Sequence, residues 1–306
     1  MSEFQITNYE FSETQPDIHN LKLANSLIVF MPELPEVELV AQSLNKLVAG
    51  RTIVVAELLR ERLAPFNSAA DFAEKLSSSK ITGVNRRGKH ILFDLDNGQT
   101  LIAHLRMSGR FMLLPIDRES PKYSHAAFYF ADDTRLVFQD QRHFGFMRVV
   151  ATENLCETKE LKSLAPEPFS DDFTPAYFRR ILKTSKRSLK EFLLDQTKVT
   201  GLGNIYASEA MFLARVNPQI PAKEISAKKA NVLFEKIREV LRESIAHGST
   251  LNVNPENIDG SYYGGGYTLG WRVYDREKAA CVKCRTGIER LKQAGRSTYF
   301  CPKCQK

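Results

Sequence analysis

Four of the five cysteines stand in two closely spaced pairs, Cys281-x2-Cys284 and Cys301-x2-Cys304. Thiolates at this spacing are the ligand set of a four-sulfur zinc ribbon, in which two knuckles close a tetrahedron. Four protein ligands leave no open coordination position, so one structural Zn2+ is expected. A redox CxxC is the alternative for either pair alone, and the second pair argues against it. Cys156 stands apart, without surroundings that would activate a thiolate, and reads as a small core residue. Gly201-Leu202-Gly203-Asn204 lies between two helical patterns. A plain turn is the simplest reading of a lone GxG, although amides at a helix N-terminus also suit a phosphate. Glu33 and Glu36 fall where a first helical turn favours negative charge. Taken singly, Met107 and Phe144 read as core or turn residues and His104 as a hydrogen-bonded strand histidine.

These groups need elements to hold them. From Pro32 onward, Val37, Val40, Leu44 and Leu47 recur at helical spacing, which predicts an amphipathic helix. After Gly50 short alternating or apolar runs predict strands over 52–59, 81–85, 90–95, 100–105, 126–130, 135–138 and 146–150. Turn signals at Asp96-Asn97-Gly98 and Asp132-Asp133 punctuate them, as in an antiparallel sandwich. Ala165-Pro166-Glu167-Pro168 marks a change of character. Helices are then expected over 175–184, 189–194, 205–214 and 227–247, the last ended by Gly248. A Gly- and Tyr-rich loop over 254–270 leads into the cysteine region, and no internal repeat is evident.

The whole is an α+β chain of 306 residues with 43% hydrophobic content, enough to fill two or three packed units. No apolar run approaches the 18 or more residues of a membrane span, so no membrane association is expected. Residues 1–30 show no targeting pattern. The net charge of +7 leans toward a polyanionic partner. Basic residues gather in Arg86-Arg87-Gly88-Lys89-His90, over 179–190 and near the end of the chain, where any of them could meet phosphates or be plain solvated surface.

The string Met31-Pro32-Glu33-Leu34-Pro35-Glu36-Val37-Glu38 resembles the start of the formamidopyrimidine-DNA glycosylases. Asp195-Gln196-x4-Gly201-Leu202-Gly203-Asn204-Ile205-Tyr206-Ala207 resembles their helix-two-turn-helix signature, and the resemblance runs almost the whole way from Met31 to Lys306. It implies an N-terminal catalytic β-sandwich with a leading helix over 31–160, a helical DNA-gripping domain over 165–255 and a zinc finger over 267–306. Arg86-Arg87-Gly88-Lys89 is similar to the segment holding a second essential amine, Lys89. The segment from His104 to Gly109 and the loop Asp140-Gln141-Arg142-His143-Phe144-Gly145 resemble the family's wedge-bearing turns. Met107, Arg142 and Phe144 are the implied fillers of the gap left by an extruded nucleotide. By the same resemblance His104, Tyr123, Lys186 and Asn204 face DNA. Arg296, in Gly295-Arg296-Ser297-Thr298-Tyr299-Phe300-Cys301, is implied at the lesion phosphates and in the final elimination. Family members often have His at Tyr123 and Lys at Ser185; Tyr123 keeps a donor, and His125 and Lys186 stand close by.

The implied function is a bifunctional DNA glycosylase and AP lyase that excises oxidised purines such as 8-oxoguanine and formamidopyrimidines from damaged double-stranded DNA. The implied nucleophile is the proline amine left when the initiator Met is removed. An α-amine with a pKa near 7.7–8.0 is roughly 10% neutral at pH 7, against well under ~0.1% for an ordinary lysine. Attack at C1′ leaves an iminium that acidifies the C2′ hydrogen, and strand cleavage by β,δ-elimination follows. Glu33 is the implied proton shuttle at the sugar, Lys89 supports base departure or elimination, and Glu36 braces the helix and the amine. A monomer in the bacterial cytoplasm, on nucleoid DNA, is expected. Here Pro32 stands 30 residues inside the chain, so the reading requires translation from Met31 or removal of the extension. Two rivals remain: an oxidised-pyrimidine glycosylase of the sister group, and a damage-binding protein whose Pro32 nitrogen stays blocked as an amide.

Overall fold

The computed structural model describes residues 31–250 and 270–306. The expected extension over 1–30 and nearly all of the loop expected over 254–270 lie outside the described residues. The leading helix α1 spans Leu34–Val48. Pro35 sits in its first turn, and a capping box joins Glu33 and Glu36. Val37, Val40, Leu44 and Val48 point into the N-terminal core, while Leu34 alone packs into a second core downstream.

Eight strands follow: β1 (Thr52–Leu58), β2 (Ser79–Arg87), β3 (His90–Leu95), β4 (Gln99–His104), β5 (Gly109–Pro115), β6 (Ser124–Phe130), β7 (Thr134–Asp140) and β8 (Phe146–Ala151), with helix α2 (Ala69–Leu76) between β1 and β2. They pair in the order β5-β7-β6-β1-β2-β3-β4-β8, and every pairing is antiparallel. The β1–β2 junction is thin, with only Thr52↔Lys80 and Ile53↔Ser79 in register. There the order folds over into two layers of four strands. Phe93 on β3 meets Phe111 on β5 at 5.4 Å between ring centroids, although the two strands lie far apart in the pairing order. This is the expected sandwich.

Two elements were not expected. Helix α2 buries only Phe72 and Leu76, one turn apart, and is started by the Ser68 side chain accepting from the Asp71 amide. Strand β5 pairs with β7 along its whole length from Gly109↔Asp140 to Pro115↔Thr134. Cys156 is exposed, not a core residue as expected, because it lies on a short 3-10 turn outside both layers.

The second core gathers α3 (Pro175–Lys183), α4 (Leu189–Leu194), α5 (Asn204–Leu213) and α6 (Ala227–Ala246). Helix α6 stops before Gly248, whose φ of +77° is a conformation glycine adopts without strain. The hairpin β9 (Glu289–Gln293) and β10 (Arg296–Phe300) docks on this core through Ile288, Tyr299, Cys281 and Cys301. Arg86 and Arg87, expected as possible phosphate contacts, are committed elsewhere. Arg86 pairs with Glu38 at 2.7 Å and Glu167 at 2.9 Å, and Arg87 pairs with Glu167 at 3.0 Å and donates to the carbonyls of Leu164 and Ala165. They fasten the end of β2 to the segment that links the two cores.

Candidate active site

The first turn of α1 and the glycine turn before α5 interlock. The Leu34 amide donates to the Gly201 carbonyl at 3.0 Å. One Glu33 oxygen accepts from the Gly203 amide at 2.7 Å and the other from Ile205 at 2.8 Å, so Glu33 supplies the anion at the α5 N-terminus. These amides are therefore occupied by a carboxylate of the chain itself and not by a phosphate. Both glycines are required by contact. A Cβ on Gly203 would stand 2.3 Å from Glu33 Cδ, and one on Gly201 would stand 2.5 Å from Leu34 Cδ1. Glu36 accepts from the Glu33 amide at 2.9 Å, the Tyr206 hydroxyl at 2.6 Å and the Thr250 hydroxyl at 2.8 Å, and so ties the first turn of α1 to α5 and to the end of the α6 segment.

Lys89 lies on the tight turn between β2 and β3 and reaches across to the Leu202 carbonyl at 2.8 Å. Gln196 holds the same carbonyl at 2.8 Å and accepts from the Gly201 amide at 2.9 Å. Glu33, Lys89, His104, Asn204 and Arg296 line one cavity of about 360 Å3, together with Met31. Residues more than 260 positions apart thus face one space. Met31 is 39% exposed, while Pro32, between Met31 and Glu33, is buried and is not among the lining residues.

Burial sets the charges here. It raises the Glu33 carboxyl above its ordinary range, with the Lys89 ammonium pulling the other way. It lowers the Lys89 ammonium, which Glu33 partly restores and Arg296 lowers further. Lys190, given no role from sequence, is fully enclosed and donates to the Asn204 carbonyl at 2.8 Å and to Ser208 at 2.5 Å. Burial pushes it down to about 7, against the pull of Glu33 and Glu209. Its only sequence signal is a lysine inside an apolar helical run, beside Leu189, Phe192 and Leu193.

His104 and His90 meet edge to face at 4.7 Å, and the Arg106 amide donates to His104 Nδ1 at 3.0 Å. Burial lowers His90 to about 4 and His104 well below its ordinary value, so both are neutral at pH 7. His104 thus joins both readings: it is hydrogen-bonded within its turn and also lines the cavity. Asn204 donates to the Ser297 carbonyl at 2.9 Å, which ties α5 to the hairpin, while its buried amide oxygen has no hydrogen-bond partner among the described residues.

The wedge candidates sit on two neighbouring turns. Met107 lies between β4 and β5, and Arg142 and Phe144 lie between β7 and β8. Phe144 is 54% exposed, with the Arg142 guanidinium 5.4 Å from its ring centroid. Asp140, which sequence reasoning assigned no role, joins the two turns. It accepts from the Ser108 hydroxyl, the Arg142 amide at 3.1 Å and the Gly145 amide at 2.6 Å. Tyr123 lies beside this loop, its ring 5.6 Å from that of His143, and Lys186 is exposed between α3 and α4.

The four cysteine sulfurs lie within 4.8 Å of one another. A tetrahedron with Zn–S bonds of about 2.3 Å has sulfurs ~3.8 Å apart. The separations of 3.9 Å for Cys281–Cys304 and 3.5 Å for Cys284–Cys301 fit it. One structural Zn2+ is therefore held by Cys281, Cys284, Cys301 and Cys304.

Three family models match in chain order: the formamidopyrimidine-DNA glycosylase N-terminal domain over 31–147, its H2TH domain over 164–254, and the zinc finger found in FPG and IleRS over 280–306. The formamidopyrimidine-DNA glycosylase of Listeria innocua is 40% identical over 276 residues, covering 90% of this chain and 100% of the relative. That of Ligilactobacillus salivarius is 38% identical over 276 residues, covering 90% and 99%. Among solved structures, Lactococcus lactis Fpg in complex with an abasic site containing DNA superposes with a TM-score of 0.82 at 32% identity, over 90% of this chain and 99% of that one. The same enzyme with an N7-benzyl-Fapy-dG containing DNA gives 0.83 at 33% identity, over 90% and 100%. With the cavity, the zinc ribbon and these likenesses in agreement, the chain belongs to the formamidopyrimidine-DNA glycosylase family.

Proposed function

We propose that this protein removes oxidised purines from damaged duplex DNA as a glycosylase of base-excision repair and cleaves the strand as an AP lyase, with Pro32 as nucleophile. The observation that carries the reading is the single cavity in which Met31, Glu33, Lys89 and Arg296 meet. Met31 occupies the space a sugar would enter. Its removal with everything upstream turns the Pro32 nitrogen from an amide into a secondary amine beside Glu33. The matched family segment begins at residue 31, which supports the same start.

The amine attacks C1′ as the damaged base departs, leaving an iminium, and loss of the C2′ proton then expels the 3′ phosphate. Glu33, its carboxyl raised by burial, moves the proton at the sugar ring. Lys89 and Arg296 supply positive charge to the departing base and phosphates. Met107, Arg142 and Phe144 fill the gap left by the flipped nucleotide, and Arg142 reads the orphaned partner base. His104, Tyr123, Lys186 and Asn204 hold the backbone. Zinc holds the hairpin that brings Arg296 to the cavity. No helix among the described residues is long and apolar enough to cross a membrane. In this reading the protein acts as a monomer on DNA in the bacterial cytoplasm.

Borohydride trapping on an abasic-site duplex tests this, run on the full chain and on a version starting at Pro32. The shortened protein is expected to give a covalent adduct and the full chain none. Absence of an adduct from both would defeat the mechanism.

A further inference from the structure

On the outer side of the zinc knuckles, away from the cavity, a second cleft of about 480 Å3 is lined by Arg215, Lys229, Lys283, Lys303 and Lys306 with the sulfurs-bearing Cys284 and Cys304. No carboxylate side chain lines it, and among the described residues none of the five cations is paired with an Asp or Glu side chain. A zinc tetrathiolate carries two negative charges, so neutralising the metal site accounts for only two of the five positive ones. The excess stays positive by two even if a carboxylate on the main chain of Lys306, which Lys229 holds at 2.7 Å, is counted. Like charges gathered in one concavity repel, and the arrangement stands to gain from a polyanion.

This cleft is not part of the lesion site. Arg296 opens β10 at the tip of the hairpin, and Cys301 follows its far end. At ~3.4 Å per residue the two lie about 17 Å apart along the strand. The two clefts share no lining residue.

We propose that the knuckle cleft binds the phosphate backbone of a second, undamaged DNA duplex while the lesion cleft is occupied. The inference rests on DNA as the partner of the lesion cleft. A duplex presents about one phosphate charge per 1.7 Å of its axis, which suits several convergent lysines and needs no base contact. Such a site lets the protein hold two segments of DNA and pass between them.

The full chain is saturated with a short duplex carrying a tetrahydrofuran abasic analogue, and a labelled undamaged duplex is then titrated while complex mass is followed by sedimentation. The protein is expected to take up one of each. The triple variant Lys283→Gln, Lys303→Gln, Lys306→Gln is expected to keep its affinity for the tetrahydrofuran duplex and to lose the second duplex. The log–log salt slope for undamaged duplex should fall by about 3. One zinc per chain in both proteins checks the fold. Should the triple variant lose its zinc, Lys303→Gln alone is read by the same slope, with a fall of about 1. Saturation at one duplex in the unsubstituted protein, or a second duplex held equally by the variants, overturns the proposal. Failure of the tetrahydrofuran duplex to bind at all counts instead against the lesion cleft as assigned.

Discussion

At the scale of single residues, burial decides which protons are held. Lys89 and Glu33 are driven toward their neutral forms by desolvation and pulled back toward charge by each other. His90 shows the stability consequence. Its folded value of about 4 lies below the roughly 6.5 of an unfolded histidine, so between these limits the unfolded chain binds more protons. Its contribution is fully present above about pH 6.5 and is lost as pH falls toward 4, by up to about 3 kcal/mol. Denaturant melts at pH 4.5 and 7 should show this fall in the native protein and a smaller one in His90→Gln. An equal fall in both would refute it. Residue types were legible from sequence: the four cysteines come together and the acidic residues stand in the first turn of α1. Partners were not. Asp140 and Lys190 gain their roles from groups that approach only after folding, and their neighbours in the chain do not say which groups those are.

At the scale of elements, the glycine turn before α5 shows how a short motif is set by contact. Gly203 has no side chain because Glu33 occupies that space, and the carboxylate then caps α5. Gly203→Ala is expected to cost more than about 2 kcal/mol in urea unfolding, since its Cβ would meet an enclosed carboxylate and backbone must shift. Gly83→Ala, whose Cβ would stand 3.7 Å from its nearest neighbour, should change stability by less than about 0.5 kcal/mol and serves as the control. Equal effects from the two would defeat the contact argument. The seven expected strands were legible because alternation or a short apolar run marks each, and the five expected helices because apolar residues recur along them, as a stripe in α1 and as a continuous buried run in α5. Helix α2 escaped notice because two buried side chains make too short a stripe. Strand β5 did so because Gly109 and Pro115 at its ends read as turn punctuation, and its pairing with β7 outweighs that.

At the scale of the whole molecule, two cores are pinned together at the cavity: Leu34 leaves the first core to pack in the second, and the Arg86–Glu167 pairs hold the link between them. The zinc ribbon completes the second core through Cys281, Cys301 and Tyr299. Stripping the metal with a strong chelator is expected to unfold the hairpin, withdraw Arg296 and abolish binding of a lesion duplex, with recovery when zinc is restored. Zinc-free protein that binds the duplex undiminished would show the hairpin to be dispensable. By itself the sequence determined the ligand set, the strand and helix periodicities and the family resemblance, because these depend on residue type and local spacing. Only the tertiary structure decided that the α5 amides serve Glu33 and not a phosphate, that Arg86 and Arg87 are fasteners, and that Lys89 meets Leu202. Each of these depends on a contact between distant segments, and a contact of that kind has an energy only once packing has brought the two together.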